Sequence, residues 1–190
     1  MLFTPINLYI ALVVCVAIQR LWEMRVSARN EKKLKEELGA IEKFPRHFIF
    51  MKLVHALWLV SCVAEAYYRQ NPPQWWLIVT GIVFLLIGQI LRIVAIKTLD
   101  GRWTVKIIVI PDSQPVTGGI YRYIRHPNYL GVIIEILALP IVFGCFMTAI
   151  VFSIGNALVL FVRIGAEEKA LQSVSEYKES LPDHRFIPRE

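Results

Sequence analysis

Between Arg125 and Arg163 the chain carries one charged residue, Glu135. The run is too long for a single membrane crossing. From Pro127 to Val162 one helix would be about 54 Å long, against a hydrocarbon core of roughly 30 Å. The run must reverse. Pro140 and Gly144 supply the turn signal, so the sequence predicts two short antiparallel spans, a helical hairpin over 127–163.

The same accounting applies upstream. Residues Met1 to Gln19 are uncharged and the apolar character continues through Leu21 and Trp22, enough for a first span. Its amino end has no basic region and no small-residue cleavage pattern, and reads as a retained span rather than a signal peptide. Arg25 to Arg46 alternates charges, with Val26, Leu34, Leu38 and Ile41 at helical spacing, and predicts a separate cytosolic or interfacial helix stopped at Gly39. Phe48 to Tyr68 is a second span, with Lys52 and Glu65 near its ends where they can snorkel. Gln70 to Leu91 is uncharged and forms the third.

The fold class predicted is therefore an all-α integral membrane protein of about five transmembrane helices. Residues 1–96 hold helices one to three and the interhelix segment 25–46. Residues 97–190 hold a polar segment, the hairpin and a carboxyl-terminal tail. The overall composition agrees: 56% hydrophobic residues and 19% charged ones in 190 residues, with a mean hydropathy of +0.51. A formal charge of +6 follows from basic loops on one side of a membrane, and no nucleic-acid motif accompanies it. Those loops hold Arg25, Arg29, Lys32, Lys33, Lys35, Lys43 and Arg46 after span one, and Lys97, Arg102, Lys106, Arg122 and Arg125 after span three. The amino end is expected outside and the carboxyl end in the cytosol. Cys15, Cys62 and Cys145 all lie in apolar runs without close spacing, so neither a disulfide framework nor a metal site is indicated.

Polar residues at the membrane boundary are the candidates for chemistry. Glu135 sits about two turns beyond Pro127 and is a functional candidate by its depth, unless it pairs with Arg92 or Lys97 across a helix interface. Arg163 and Glu167 are four apart on one helical face, beside Glu168; alone they read as an ordinary surface pair. His126 precedes a proline that holds it out of helical geometry, and it stands among Tyr121, Tyr123, Arg125 and Tyr129. Such a set suits a ligand with a cationic centre and an aromatic base. Trp22, Trp58, Trp75, Trp76 and Trp103 need be no more than interface anchors.

The stretches "YRYIRHPNYLG", "RIGAEEKAL" and "SEYKESLPDHRFIP" resemble the isoprenylcysteine carboxyl methyltransferase family of integral membrane enzymes, over about Leu91 to Pro188. The amino half, with "RLWEMRVSARNEKKLKEELGAIE" and "HALW", is similar to a bacterial branch that includes alkylpyrone O-methyltransferases. The resemblance implies transfer of a methyl group from S-adenosylmethionine to a lipophilic acceptor in a bacterial cell membrane, in a cytosolic-face pocket formed by the carboxyl-terminal half. It places Gln114, Pro115, Val116, Tyr121, His126, Pro127, Asn128, Tyr129 and Glu167 around the cofactor. Arg163, with Arg125, would hold the acceptor oxygen, and Glu135 would join Arg163 on the acceptor side. A sulfonium methyl transfer is an in-line displacement that needs alignment and exclusion of water more than a strong base. The acceptor is expected to be an alkylpyrone-like hydroxyl. A prenylcysteine carboxylate or a phospholipid amine is the alternative among enzymes, and a non-catalytic scaffold the alternative outside them. A transporter is disfavoured because the spans show no internal repeat.

Overall fold

The structure, a computed structural model, describes residues 4–45, 47–69, 72–173 and Phe186. The tail stretch "SEYKESLPDHRFIP" lies, but for Phe186, outside the described residues. Five α-helices appear among the described residues: α1 (Pro5–Leu38), α2 (His47–Arg69), α3 (Trp75–Leu99), α4 (Pro127–Val142) and α5 (Phe146–Gln172). Four are long and apolar enough to cross a membrane, and α4 is a shorter apolar helix. The chain is a multi-pass membrane protein of all-α class.

The first helix corrects one expectation. The predicted break between a first span and a separate helix over 25–46 is absent, and α1 continues unbroken for 34 residues, about 51 Å at 1.5 Å per residue. Nothing between Leu21 and Arg25 is a helix breaker, and the change from apolar to charged residues changes the solvent around the helix rather than its backbone. Gly39 does end it, at φ 60°, with the Ala40 N–H donating to the Leu34 carbonyl at 3.2 Å. The three residues that follow, β1 (Ile41–Lys43), then pair antiparallel with β2 (Ile107–Val109), Ile41 opposite Val109. This short ladder had no counterpart in the sequence reading.

The hairpin reverses where expected. Pro140 lies in the last turn of α4, and Gly144 has φ 75° with its N–H on the Ile141 carbonyl at 2.9 Å. Its arms are unequal: α4 has 16 residues, whereas α5 has 27 and runs on beyond the far end of α4. Glu65 of α2 caps the start of α5, accepting from the Thr148 N–H at 2.7 Å and the Met147 N–H at 3.3 Å. A carboxylate expected merely to snorkel instead satisfies helix-end donors.

The short α4 is held by close approach to α3. A methyl group on Gly88 would lie 3.0 Å from the Gly131 carbonyl oxygen, and one on Gly81 would lie 2.8 Å from the Val142 nitrogen. Small residues let the backbones meet, which is how helices associate where lipid gives no hydrophobic drive. The apolar core lies beside this contact, around Trp58, Cys62, Leu85, Ile136 and Leu139. Trp58 and Trp103 are buried, and the Trp58 indole donates to the Ile136 carbonyl at 3.2 Å. These two are not surface anchors. Trp22, Trp75 and Trp76 are exposed, as anchors must be.

The topology brings the carboxyl ends of α1, α3 and α5 and the amino ends of α2 and α4 to one face. The segment from Asp100 to His126, with β2 and two short 3-10 turns, folds across that face.

Candidate active site

His126 is held by its position in front of Pro127. Its φ of −126° and ψ of 59° lie outside the helix, while its carbonyl accepts the first α4 bond from Leu130 at 3.1 Å. This turns the ring toward α5, where Nε2 lies 3.1 Å from Glu168 Oε1. Arg125 Nη1 donates to the same oxygen at 3.3 Å. Tyr129, one turn further, stacks obliquely on His126 with ring centroids 5.5 Å apart.

The Tyr129 hydroxyl joins the two polar residues of α5. It donates to Glu167 Oε2 and accepts from Arg163 Nε at 2.8 Å. Arg163 and Glu167 thus meet through a third residue from another helix, where the spacing alone suggested a simple surface pair. Arg163 is buried, and its Nη2 donates to the Val105 carbonyl. The segment around Val105 is pinned from the other side by α1. Ser27 Oγ accepts from the Val105 N–H at 2.8 Å, and Asn30 Nδ2 donates to the Trp103 carbonyl at 2.8 Å.

These contacts enclose a cavity lined by Trp103, Thr104, Lys106 to Ile110, Ser113 to Val116, Tyr121, Arg125, His126, Asn128, Tyr129, Arg163 and Glu167. Of the residues expected at a cofactor, Gln114, Pro115, Val116, Tyr121, His126, Asn128, Tyr129 and Glu167 line it. Pro127 does not; it is buried at the first turn of α4. Arg102 steadies the loop by donating to the Gln114 carbonyl at 2.9 Å. The residues from Lys106 to Ile110 enter through β2, whose pairing with β1 leaves no local sequence signature.

Lys106 stands at the rim in a cluster of charges. Its Nζ lies 3.0 Å from Glu31 and 3.2 Å from Glu42, and Lys35 reaches the same two carboxylates at 2.5 and 3.0 Å. Hydrogen bonds to Glu31 foremost, and to Glu42, hold the Lys106 and Lys35 ammonium groups above their usual range. Partial burial alone would raise the Glu31 carboxyl, but hydrogen bonds from Lys35 and Lys106 outweigh it and hold Glu31 below the usual range.

A second, larger cavity adjoins the first, about 310 against 170 Å³. It opens between α1, α2 and α4 and is lined by Leu21, Met24, Met51, Leu59 and Val132 with a set of charged groups. Trp103, Thr104, Asn128, Tyr129 and Arg163 line both chambers and form the wall between them. In that wall the Asn128 Oδ1 atom is buried and without a hydrogen-bond partner among the described residues.

Glu135 lines neither chamber. It is fully buried behind the second one, in a cluster with Arg20, Glu23 and Arg92. Arg20 donates to Glu135 and, at 3.2 Å, to Glu23. Arg92 donates to Glu23, and its Nε lies 3.5 Å from Glu135 Oε1. The pairing of Glu135 with Arg92 was one of the sequence-based alternatives; that with Arg20 was not foreseen. Two arginines and two glutamates make the set neutral, as buried charges in a membrane require.

The signature residues around His126 and the pair at Glu167 and Glu168 thus converge in space. The sequence model of the isoprenylcysteine carboxyl methyltransferase (ICMT) family matches residues 80–173. The chain belongs to that family. It is 39% identical over 165 residues to "Uncharacterized protein YpbQ" of Bacillus subtilis (strain 168), covering 86% of this chain and 96% of that one. It is 28% identical over 145 residues to protein-S-isoprenylcysteine O-methyltransferase B of Arabidopsis thaliana, covering 72% of each. The Schizosaccharomyces pombe protein-S-isoprenylcysteine O-methyltransferase matches at 33% over 107 residues, 52% of this chain and 45% of that one. ICMT-family membership makes the chain a membrane methyltransferase, and the family match begins within α3 and takes in the whole hairpin.

Proposed function

We propose that this ICMT-family protein transfers a methyl group from S-adenosylmethionine to an oxygen of a lipophilic acceptor, an alkylpyrone-like polyketide hydroxyl. The observation that carries the reading is the shared wall: two chambers, one of evenly mixed polarity and one largely apolar, meet at Asn128, Tyr129 and Arg163. A water-soluble donor and a lipid-soluble acceptor need such an arrangement.

The residues of the first chamber fit the donor. S-adenosylmethionine supplies an electrophilic methyl on a sulfonium when bound. His126 and Tyr129 offer aromatic faces to a cation, and Glu167 a carboxylate. The orphaned Asn128 Oδ1 offers a carbonyl dipole whose burial is unfavourable unless a donor or a positive charge meets it. Gln114, Pro115, Val116 and Tyr121 close the chamber from the loop side, and Pro127 sets the direction of α4. Glu168 orients His126 and Arg125 rather than facing the ligand, so Arg125 reaches the acceptor oxygen less directly than Arg163.

Arg163 stands in the wall with its guanidinium fixed by Tyr129 and Val105, and so places a positive charge beside an acceptor oxygen without moving. Glu135 acts on the acceptor side only through Arg20 and Arg92. With Arg20 and Arg92 neutralised by Glu23 and Glu135, the second chamber keeps Lys52 and Arg163 as its excess of positive charge. That excess disfavours a cationic amine acceptor. A prenylcysteine carboxylate is the second reading, favoured by the names of the plant and yeast relatives. The positive-inside rule supports a cytosolic position for the cation-rich face, which also bears the charged half of α1.

The test is methyl transfer in lipid nanodiscs from methyl-labelled S-adenosylmethionine, with long-chain hydroxypyrones and farnesylcysteine as acceptors. Label in an extractable ether supports the first reading and label in an ester the second; label in neither with active controls counts against both.

A further inference from the structure

The charged half of α1 has two faces with different surroundings. Glu23, Ser27 and Leu34 are buried on the inner one. From that side Ser27 and Asn30 hold the backbone at Val105 and Trp103, and Glu31 reaches Lys106, so the helix carries the segment that roofs the first cavity. By helical periodicity the opposite face presents Ile18, Leu21 and Trp22, followed by Arg25, Arg29 and Lys32, all of them exposed.

The change from apolar to basic along this outer face falls where the bilayer ends. About 20 residues of α1, counted from Pro5, cross the hydrocarbon core, which brings the boundary to Met24. Trp22 then sits just inside it, at the depth tryptophan favours. Arg25 and Arg29 follow within about 8 Å of the boundary, inside the head-group layer.

The cations beyond Trp22 are not equivalent. Lys32 lies 3.9 Å from Glu36, and Lys33 lies 4.0 Å from Glu37. Arg25 and Arg29 have no hydrogen-bond or ion-pair partner among the described residues. Four residues apart, they rise about 6 Å along one face, close enough for both guanidinium groups to reach one head group. A phosphodiester accepts hydrogen bonds from two guanidinium groups at once. A zwitterionic head group offers the same phosphate together with an ammonium that the arginines repel, whereas one that ends in hydroxyls brings no opposing charge.

We propose that the outer face of α1 at Trp22, Arg25 and Arg29 binds the head group of an anionic phospholipid. The phosphodiester lies between the two guanidinium groups, and the Trp22 ring packs beside the upper acyl chain. The bound lipid stabilises the helix whose other face holds Val105 and Trp103. The site is separate from both cavities and does not depend on the methyltransferase reading.

The experiment places the whole protein in phosphatidylcholine vesicles in which a minor share of the lipid, either phosphatidylglycerol or phosphatidylcholine, is brominated near the head group. Bromine quenching of tryptophan fluorescence is read, and the share due to Trp22 is the difference between the unaltered protein and Trp22→Phe. Trp75 and Trp76, exposed at the start of α3 on the other membrane face, give the comparison. Trp22 is expected to be quenched more strongly by phosphatidylglycerol. That preference is expected to fall about fivefold for each arginine replaced in Arg25→Gln and Arg29→Gln. It is also expected to weaken in about 1 M salt, where the screening length is about 3 Å. Both arginines are exposed and unpartnered, so the double variant leaves the inner face intact.

Equal quenching of Trp22 by the two lipids overturns the proposal. So does a preference that survives in the double variant, or one that is as large in Trp22→Phe as in the unaltered protein. Thermal unfolding in detergent with added lipid is the second measurement. Phosphatidylglycerol is expected to raise the melting temperature of the unaltered protein more than phosphatidylcholine does, and to lose that advantage in the double variant. If Trp22→Phe fails to fold, this comparison decides, and equal rises in the unaltered protein overturn the proposal.

Discussion

Arg163 Nε donates to the Tyr129 hydroxyl at 2.8 Å, and that hydroxyl donates in turn to Glu167. One oxygen of α4 therefore couples Arg163 to Glu167, both on α5 and proposed to face the acceptor and the donor respectively. Tyr129→Phe keeps the ring stacked on His126 and removes only the coupling. The expected result is a fall of about tenfold in affinity for S-adenosylhomocysteine, because Glu167 and Arg163 each lose a buried partner. Titration calorimetry checks it, and an unchanged affinity would show that the bridge has no part in binding.

The two ends of that bridge are expected to separate under mutation. Glu167→Ala abolishes measurable cofactor binding, whereas Arg163→Ala spares much of it and loses turnover. Calorimetry beside a labelled-methyl assay distinguishes the two. The reverse pattern would contradict the division of roles.

The buried quartet of Arg20, Glu23, Arg92 and Glu135 makes a stability prediction. Glu135→Met leaves two arginines sharing one carboxylate and is expected to destabilise by about 3–5 kcal/mol, whereas Arg20→Met combined with Glu135→Met restores neutrality and recovers much of the loss. Thermal unfolding in detergent compares them. A double variant as unstable as the sum of its singles would show that the charges do not act together.

The α3–α4 contact is tested by adding methyl groups. Gly88→Ala puts one 3.0 Å from the Gly131 carbonyl oxygen, whereas Gly155→Ala puts one into open space. The first is expected to cost about 1–3 kcal/mol and the second to leave the melting temperature unchanged within error. Similar melting temperatures for the two variants would argue against the close approach.

These contacts mark the limit of what the sequence discloses. The hairpin reversal at Gly144, the helix stop at Gly39 and the meeting of His126 with the Glu167–Glu168 pair were legible, because each depends on local chemistry or on a charge-free run of known length. The continuity of α1 was not, since a change of solvent resembles a change of element when only polarity is read. The β1–β2 ladder and the pinning of Val105 by Ser27 and Arg163 were hidden because they join backbone groups across more than fifty residues. Arg20 and Arg92 carried a signal that could have been followed, since both lie near the same membrane depth as Glu135 and each needs a partner there.

The Glu31 cluster gives a pH dependence at the rim of the first cavity. Glu31 is held below the usual carboxyl range, so its contribution is complete above the carboxyl pKa of the unfolded chain and is lost as pH falls through the folded value. Lys35 and Lys106 are held above their usual range, so theirs persists through neutrality and is lost only as pH rises through their folded values. The melting temperature is therefore expected to fall between about pH 5 and pH 3, and Glu31→Gln to fall less over that window. An identical acid slope in the variant would show that Glu31 does not contribute.

The central claim is that the chamber beneath His126, Tyr129 and Glu167 holds S-adenosylmethionine. Its most direct test is calorimetric titration of the detergent-purified protein with S-adenosylhomocysteine, beside Glu167→Ala and repeated in lipid nanodiscs. The account predicts micromolar binding at one site per chain, lost in the variant while its melting temperature without ligand is retained. Absence of binding by the folded, unaltered protein in both media would contradict it and leave the residues around His126 as a membrane-interface anchor.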